Sequence, residues 1–321
     1  MKVVESRKKF YLLSSLIIVI GLIFMVMNMA KGNGAFSKDI EFTGGSLIQV
    51  DIKKPLDDTV RQELVTMTKE VTGNENVSIT SSGDTGVIIT MPRTENEARE
   101  ALFTQMKEKY ALEDTDLLAD EDVSASISSD IKSGAIKAVV VGTILILIYI
   151  SLRFKDYRFG MSAVVALIHD VLIMFTVYAV FRIPLNNSFI AAMLTIVGYS
   201  INDTIIIFDR IRENKEKVGL KDHDKASMQL VDDSVSQTIG RSISTSVTTL
   251  VMVVLLFVLG TESVREFAFP LIIGVAAGTY SSILIASPLW YDLTHIASKK
   301  APAKKATAKK KAKAKTPVKQ K

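Results

Sequence analysis

Six apolar runs, each roughly the twenty residues that a helix needs to cross the hydrocarbon core of a bilayer, constrain this chain more than any other feature. They occupy about 10–30, 134–152, 160–181, 187–208, 243–260 and 267–291. Hydrophobic residues make up 48% of the 321, yet 23% are charged. The charges are therefore segregated into wet segments between the runs. The expected class is an α-helical integral membrane protein with six transmembrane helices. No cysteine is present, which excludes a disulfide framework and thiolate metal sites.

The first run follows a basic start with Lys2, Arg7, Lys8 and Lys9. Such a start also opens a signal peptide, but the apolar core of a signal peptide is about 7–15 residues. This run is longer, and Asn28-Met29-Ala30 is a poor cleavage site. It reads as an uncleaved first spanning helix, with residues 1–30 as the cytoplasmic start and helix 1.

Residues 31–133 differ in character, with acidic residues outnumbering basic ones nearly two to one. Their pattern predicts a strand at 46–52, a helix at 57–71, strands at 77–80 and 87–91, a helix from 94 to 110 and a last strand near 123–127. Leu64, Met67 and Val71 share one face of the first helix. Thr94 and Glu97 have the spacing of a capping box for the second. The order β-α-β-β-α-β is that of a small α+β ferredoxin-like domain lying between helices 1 and 2.

Loop charge sets the orientation. Arg153, Lys155 and Arg158 share one short loop, and Arg210, Arg212, Lys215, Lys217, Lys221 and Lys225 follow the fourth run. The opposite loops carry only Arg182 and Arg265. The positive-inside rule then makes both termini cytoplasmic and the acidic domain extracytoplasmic. Residues 134–295 form helices 2–6, with an amphipathic cytoplasmic loop near 210–240. The tail at 296–321 is almost all Lys, Ala, Pro and Thr and is expected to be disordered. It fits a solvated end that reinforces topology, or a contact with anionic lipid or ribosomal RNA.

Ionisable groups stand inside three runs: His169 and Asp170 in the third, Asn202 and Asp203 in the fourth, Arg241 near the start of the fifth. A charge deep in a span costs roughly 2.5–3.5 kcal/mol on insertion scales and marks a site with a partner or with water. Asp203 lies about 9 Å, at helical rise, from the expected cytoplasmic end of its run at Asp209. Gly198, Tyr199, Ser200, Asn202, Asp203 and Thr204 form a small polar patch, and Ser242, Thr245, Ser246 and Thr249 a hydroxyl stripe. Gly274 and Gly278 make a GxxxG pair suited to close packing. Two readings stand for Asp203: a structural carboxylate paired with Arg241, or a carboxylate that loads and releases an ion. His169 reads equally as a hydrogen-bonded core residue or a relay, and Arg241 as a relay or a side chain reaching the surface. No Walker loop, GxSxG or HExxH occurs. Three histidines without cysteine offer little from which to build a metal enzyme. Energy is expected from an ion gradient.

The run Gly198-Tyr199-Ser200-Ile201-Asn202-Asp203-Thr204, continuing to Phe208-Asp209-Arg210-Ile211-Arg212-Glu213-Asn214, resembles the SecF family, accessory subunits of bacterial protein export. His169-Asp170, the 241–249 run from Arg241 to Thr249, and Phe42-Thr43-Gly44-Gly45 agree with it. The resemblance extends from about 10 to 295. It implies half of a transporter of the resistance-nodulation-division superfamily, completed by SecD, working beside the SecYEG channel and SecA motor on exported unfolded polypeptides. It implies a bacterial cytoplasmic-membrane location, proton or sodium motive force as the drive, and no ATPase site, cofactor or DNA partner of its own. Asp203 falls on the gradient-sensing carboxylate, and Arg241 on an arginine of the same region. Gly44 and Gly45 keep the family's glycine pair, whereas Asp39 and Glu41 depart from its usual Gly-Ile-Asp-Phe-x-Gly-Gly. A self-sufficient small-molecule or ion exporter and a passive scaffold are the rival functions.

Overall fold

The computed structural model describes residues 2–32, 34–74, 76–154, 156–220 and 226–299. Lys155, Lys221, Lys225 and the tail from residue 300 lie outside the described residues.

The first long helix, α1 (Val3–Ala30), begins earlier than hydropathy alone suggests. Two polar contacts hold its basic start. The Val4 N–H donates to Asp232 Oδ1 at 2.9 Å, and Arg7 Nε donates to Asp292 Oδ2 at 3.0 Å. An orphan N–H at a helix start is thereby satisfied from another helix.

A short helix, α2 (Ile40–Thr43), leads into β1 (Gly45–Asp51). Then come α3 (Asp58–Thr72), β2 (Ser78–Ser82), β3 (Gly86–Met91), α4 (Asn96–Tyr110) and β4 (Leu117–Val123). The strands form one antiparallel sheet of order β2-β3-β1-β4, with Ile48 opposite Ile89 and Val50 opposite Val87. Alternation places Ile48, Val50, Val87 and Ile89 in a core with Leu64, Leu102 and Met106 of the two helices. Asp57 caps α3 by accepting the Val60 N–H at 2.7 Å, and Gly73 ends it in the left-handed region.

Two local expectations fail here. The Thr94–Glu97 capping box does not form, because Thr94 is committed to the sheet. Its N–H donates to Ser46 Oγ at 2.9 Å and its own hydroxyl to the Pro92 carbonyl. The last strand ends at Val123 instead of running from 123 to 127. Ser124 already caps the next helix, accepting the Ile127 N–H. The strand's Asp120-Glu121-Asp122 run hid it, since an exposed edge strand needs only one apolar face.

Five further helices complete the six long apolar ones: α5 (Ala125–Arg153), α6 (Tyr157–Phe181), α7 (Asn187–Lys217), α8 (Met228–Leu259) and α9 (Glu262–Ser281). A π-helical segment, Ser282–Ala286, joins α9 to α10 (Ser287–Lys299), so the sixth span is one continuous helical unit. The chain is a multi-pass membrane protein. The stretch near 210–240 is not a loop over most of its length, because α7 continues to Lys217 and α8 starts at Met228. Asn214 bridges the two extensions through Ser234 Oγ and Gln237 Oε1.

At that end of the bundle Phe159 stacks on Trp290 at 4.5 Å and 11°, and Lys215 Nζ lies 5.4 Å from the Trp290 ring. At the opposite end Phe189, Tyr178, Met174 and Ala268 form a second core. The outward faces of α1 and α5 are apolar, as at Leu12, Val26, Ile136 and Leu152, which suits lipid or a partner.

Candidate functional site

The ionisable residues fall into two clusters on neighbouring helices. Asp203, on α7, is 3% exposed, and its Oδ2 is buried without a hydrogen-bond partner among the described residues. Its electrostatic neighbours on α8 are Arg241 and Ser242. The Ser242 hydroxyl is fully buried beside Asp203, whereas Arg241 is exposed. A buried carboxylate with an open acceptor, facing a cation and a buried hydroxyl, has a ready place for a proton or small cation.

The second carboxylate is saturated. Asp170 Oδ2 accepts from Ser200 Oγ at 2.6 Å and from Ser281 Oγ at 2.9 Å, while Oδ1 lies 3.0 Å from His169 Nδ1. His169 Nε2 is buried and unpaired. The imidazole stacks against Tyr280, whose hydroxyl donates to the Phe10 carbonyl on α1. Thr204 Oγ1 and Ser282 Oγ are 2.8 Å apart, and Tyr199 donates to Ser246 Oγ, which lies 2.6 Å from Thr279 Oγ1. The polar seam thus runs along α7 between α6, α8 and the sixth span.

Several expected members are placed otherwise. Asn202 is exposed, about 100° round the helix from Asp203, and does not join the buried cluster. Gly198 is exposed, with open space within this chain where a side chain would stand. The hydroxyl stripe on α8 is narrower than its spacing suggests. Ser242 and Ser246 are buried, but Thr245 is exposed and donates back to the Arg241 carbonyl. Asp209 pairs with Arg153 and Arg212, and Arg210 donates to Gln237 and Glu213. These last contacts tie the helix ends together and stand apart from the buried seam.

Ser281 and Ser282 are the residues that sequence reasoning missed. The run Thr279-Tyr280-Ser281-Ser282, just beyond Gly278, carries the same hydroxyl signal as the fifth span. The glycines bring it into place. A Cβ at Gly278 would lie 2.9 Å from Ser200 Cβ, and one at Gly274 would lie 2.4 Å from Ile196 Cγ1. The GxxxG pair therefore presses α9 onto α7 where Ser200 meets Asp170.

Six spanning helices around two buried carboxylates define a polytopic membrane protein with an ionisable site at bilayer depth. The family model for the C-terminal region of the protein export membrane proteins SecD and SecF matches residues 103–295. A SecF protein translocase subunit of Sebaldella termitidis is 34% identical over 294 residues, covering 91% of this chain and 92% of the relative. That of Haemophilus influenzae is 33% identical over 291 residues, covering 90% and 85%. The crystal structure of SecDF, a translocon-associated membrane protein from Thermus thermophilus, aligns with a TM-score of 0.72 at 32% identity. That alignment covers 90% of this chain but only 38% of the SecDF chain. This chain belongs to the SecD/SecF family, among its SecF protein translocase subunits.

Proposed function

We propose that this chain acts with a SecD-type partner to couple an ion gradient to polypeptide translocation and release across the bacterial cytoplasmic membrane. The observation that carries the reading is Asp203, buried in the fourth span with an unpaired oxygen and facing Arg241 and Ser242. Loading a proton or sodium ion there neutralises the carboxylate and releases Arg241 from its attraction. That change favours one packing of α7 on α8 over another, because an ion shifts an equilibrium only when it binds the two states differently. Asp170 accepts from Ser200 of α7 and Ser281 of α9, so any repacking of α7 on α8 is felt at that carboxylate, with His169 as its neighbouring relay.

The partner follows from proportion. The chain spans under two fifths of the SecDF relative, which leaves the rest to a second subunit. The βαββαβ order with strand order β2-β3-β1-β4 supports a ferredoxin-like domain. The basic cluster of Arg153, Arg158, Arg210, Arg212 and Lys217 supports a cytoplasmic location for that end and for both termini, with the acidic domain outside. On this reading SecYEG and SecA are the machinery the subunit works beside, and no ATPase site of its own is needed.

The test is Asp203→Asn, close in shape and unable to ionise. In vesicles holding the intact complex, gradient-dependent export should fall to the level seen without a gradient while subunit accumulation is unchanged. Export at the wild-type rate would sink the coupling role and favour a scaffold. Export of a small solute by this chain alone would favour the exporter.

A further inference from the structure

The segment joining α1 to the sheet does not hang free between membrane and outer domain. It lies along the turn between α6 and α7. The Asp39 N–H donates to the Leu185 carbonyl and the Leu185 N–H to the Ser37 carbonyl, both at 3.0 Å, forming a parallel bridge of Lys38 with Leu185. Arg182 Nη1 donates to the Gly34 carbonyl, and Phe36 packs its ring 5.2 Å from Phe175 of α6.

One residue reaches further. Glu41 Oε2 accepts the backbone N–H of Asn187 at 2.5 Å, and Asn187 is the first residue of α7. Charged acceptors at a helix start stabilise both the orphan N–H and the positive end of the dipole. The cap of α7 is therefore shared between its own Asn186 and a side chain from outside the bundle. Asn186 accepts the Phe189 N–H at 2.9 Å and donates to Glu266 of α9 at 2.7 Å. Glu41 stands in α2, which leads through Gly44 directly into β1, one of the two inner strands of the sheet. Gly45 has φ +129° and passes so close to β3 that a Cβ would lie 2.5 Å from the Met91 carbonyl, which leaves little slack between α2 and the sheet.

We propose that Glu41 is the positioning residue that transmits movement of α7, and hence the ionisation state of Asp203, to the outer domain. The inference rests on the gradient-coupling reading above. α7 is one uninterrupted helix from Asn187 past Asp203, about 24 Å at helical rise, and so links the two sites directly. Displacement of its start acts on Glu41 and on the Leu185 bridge together, and both lie on the one segment that enters β1. A free linker would dissipate that displacement; a doubly bonded one passes it on.

The test uses Glu41→Ala, Glu41→Gln and Asp203→Asn in the intact complex. Gln keeps an oxygen that can accept the Asn187 N–H, and Ala does not. Glu41→Ala should remove most gradient-dependent export at normal accumulation, and Glu41→Gln should restore most of it. Hydrogen–deuterium exchange at 37–45 and 183–190 should change on Asp203→Asn in the wild-type background and stay unchanged in Glu41→Ala. Wild-type export by Glu41→Ala overturns the proposal, as does equal loss in Ala and Gln, which would assign the effect to charge instead of the cap. Loss of export in Asp203→Asn with no change in exchange at 37–45 overturns the strap and leaves gradient coupling standing. Wild-type export by Asp203→Asn removes both.

Discussion

Ser200 of α7 donates a 2.6 Å hydrogen bond to Asp170 of α6, and Ser281 of α9 donates to the same oxygen at 2.9 Å. One carboxylate oxygen thus joins three spanning helices, while Asp203, three residues past Ser200, keeps an oxygen unpaired. The two carboxylates differ in donors rather than in burial, since both are nearly inaccessible.

Removing either donor should loosen the bundle modestly. Ser200→Ala and Ser281→Ala are each expected to cost about 0.6 kcal/mol and at most ~1.7, the range of side-chain hydrogen bonds between spanning helices. The double variant should lose more than the sum, because Asp170 Oδ2 then has neither hydroxyl. Thermal unfolding in detergent, followed by the emission of Trp290, the only tryptophan in the chain, checks this. A strictly additive double variant would count against the shared-acceptor arrangement.

Gly278→Val should be more damaging than either serine change. Even a Cβ there meets Ser200 Cβ at 2.9 Å, so α9 must move off α7 and draw Ser281 away from Asp170. Overpacking of this kind costs about 1–3 kcal/mol. Gly198→Ala, with open space around it, is the matched control and should leave the unfolding temperature unchanged.

Gly45→Ala should destabilise the sheet by about 1–3 kcal/mol, since φ +129° is a conformation that side chains rarely adopt. Gly44→Ala, at φ +73° with its nearest neighbour at 3.4 Å, should cost less. Proteolysis of the α/β domain in the intact chain ranks the two, and the reverse order would refute the geometric argument.

The strap should hold better in acid. Burial pushes the Asp39 carboxyl from 3.8 up to about 6, and the charges of Glu41 and Glu121 add to that rise. A raised carboxyl contributes stability that is complete below about 3.8 and lost as pH climbs through about 6. After correction for intrinsic rates, exchange at 37–45 should be slower at pH 5 than at pH 8, with the extra protection fading out near 6. Asp39→Asn should flatten the profile; a profile that keeps its pH dependence in that variant would exclude Asp39 as its source.

Much of this molecule was legible in one dimension, for physical reasons. Lipid demands long apolar helices, so six runs yielded six spans, and Asp203, His169, Asp170 and Arg241 stood out because charge in a span is costly. Alternation and helical periodicity located β1, α3, β2, β3 and α4 within a residue or two, because those signals are local. The edge strand Leu117–Val123 escaped, as acidic residues on its open face masked the pattern. Helical spacing put Asn202 and Thr245 among the polar residues, and only packing could show that they face outward. Which hydroxyls serve Asp170, why Gly278 rather than Gly198 is the tight contact, and that Glu41 caps a helix 146 residues further along the chain all depend on how helices meet. Sequence determined that a carboxylate must stand inside the bilayer. Tertiary structure decided which carboxylate is saturated and which is left open, since donors come from neighbouring helices that no local pattern brings together.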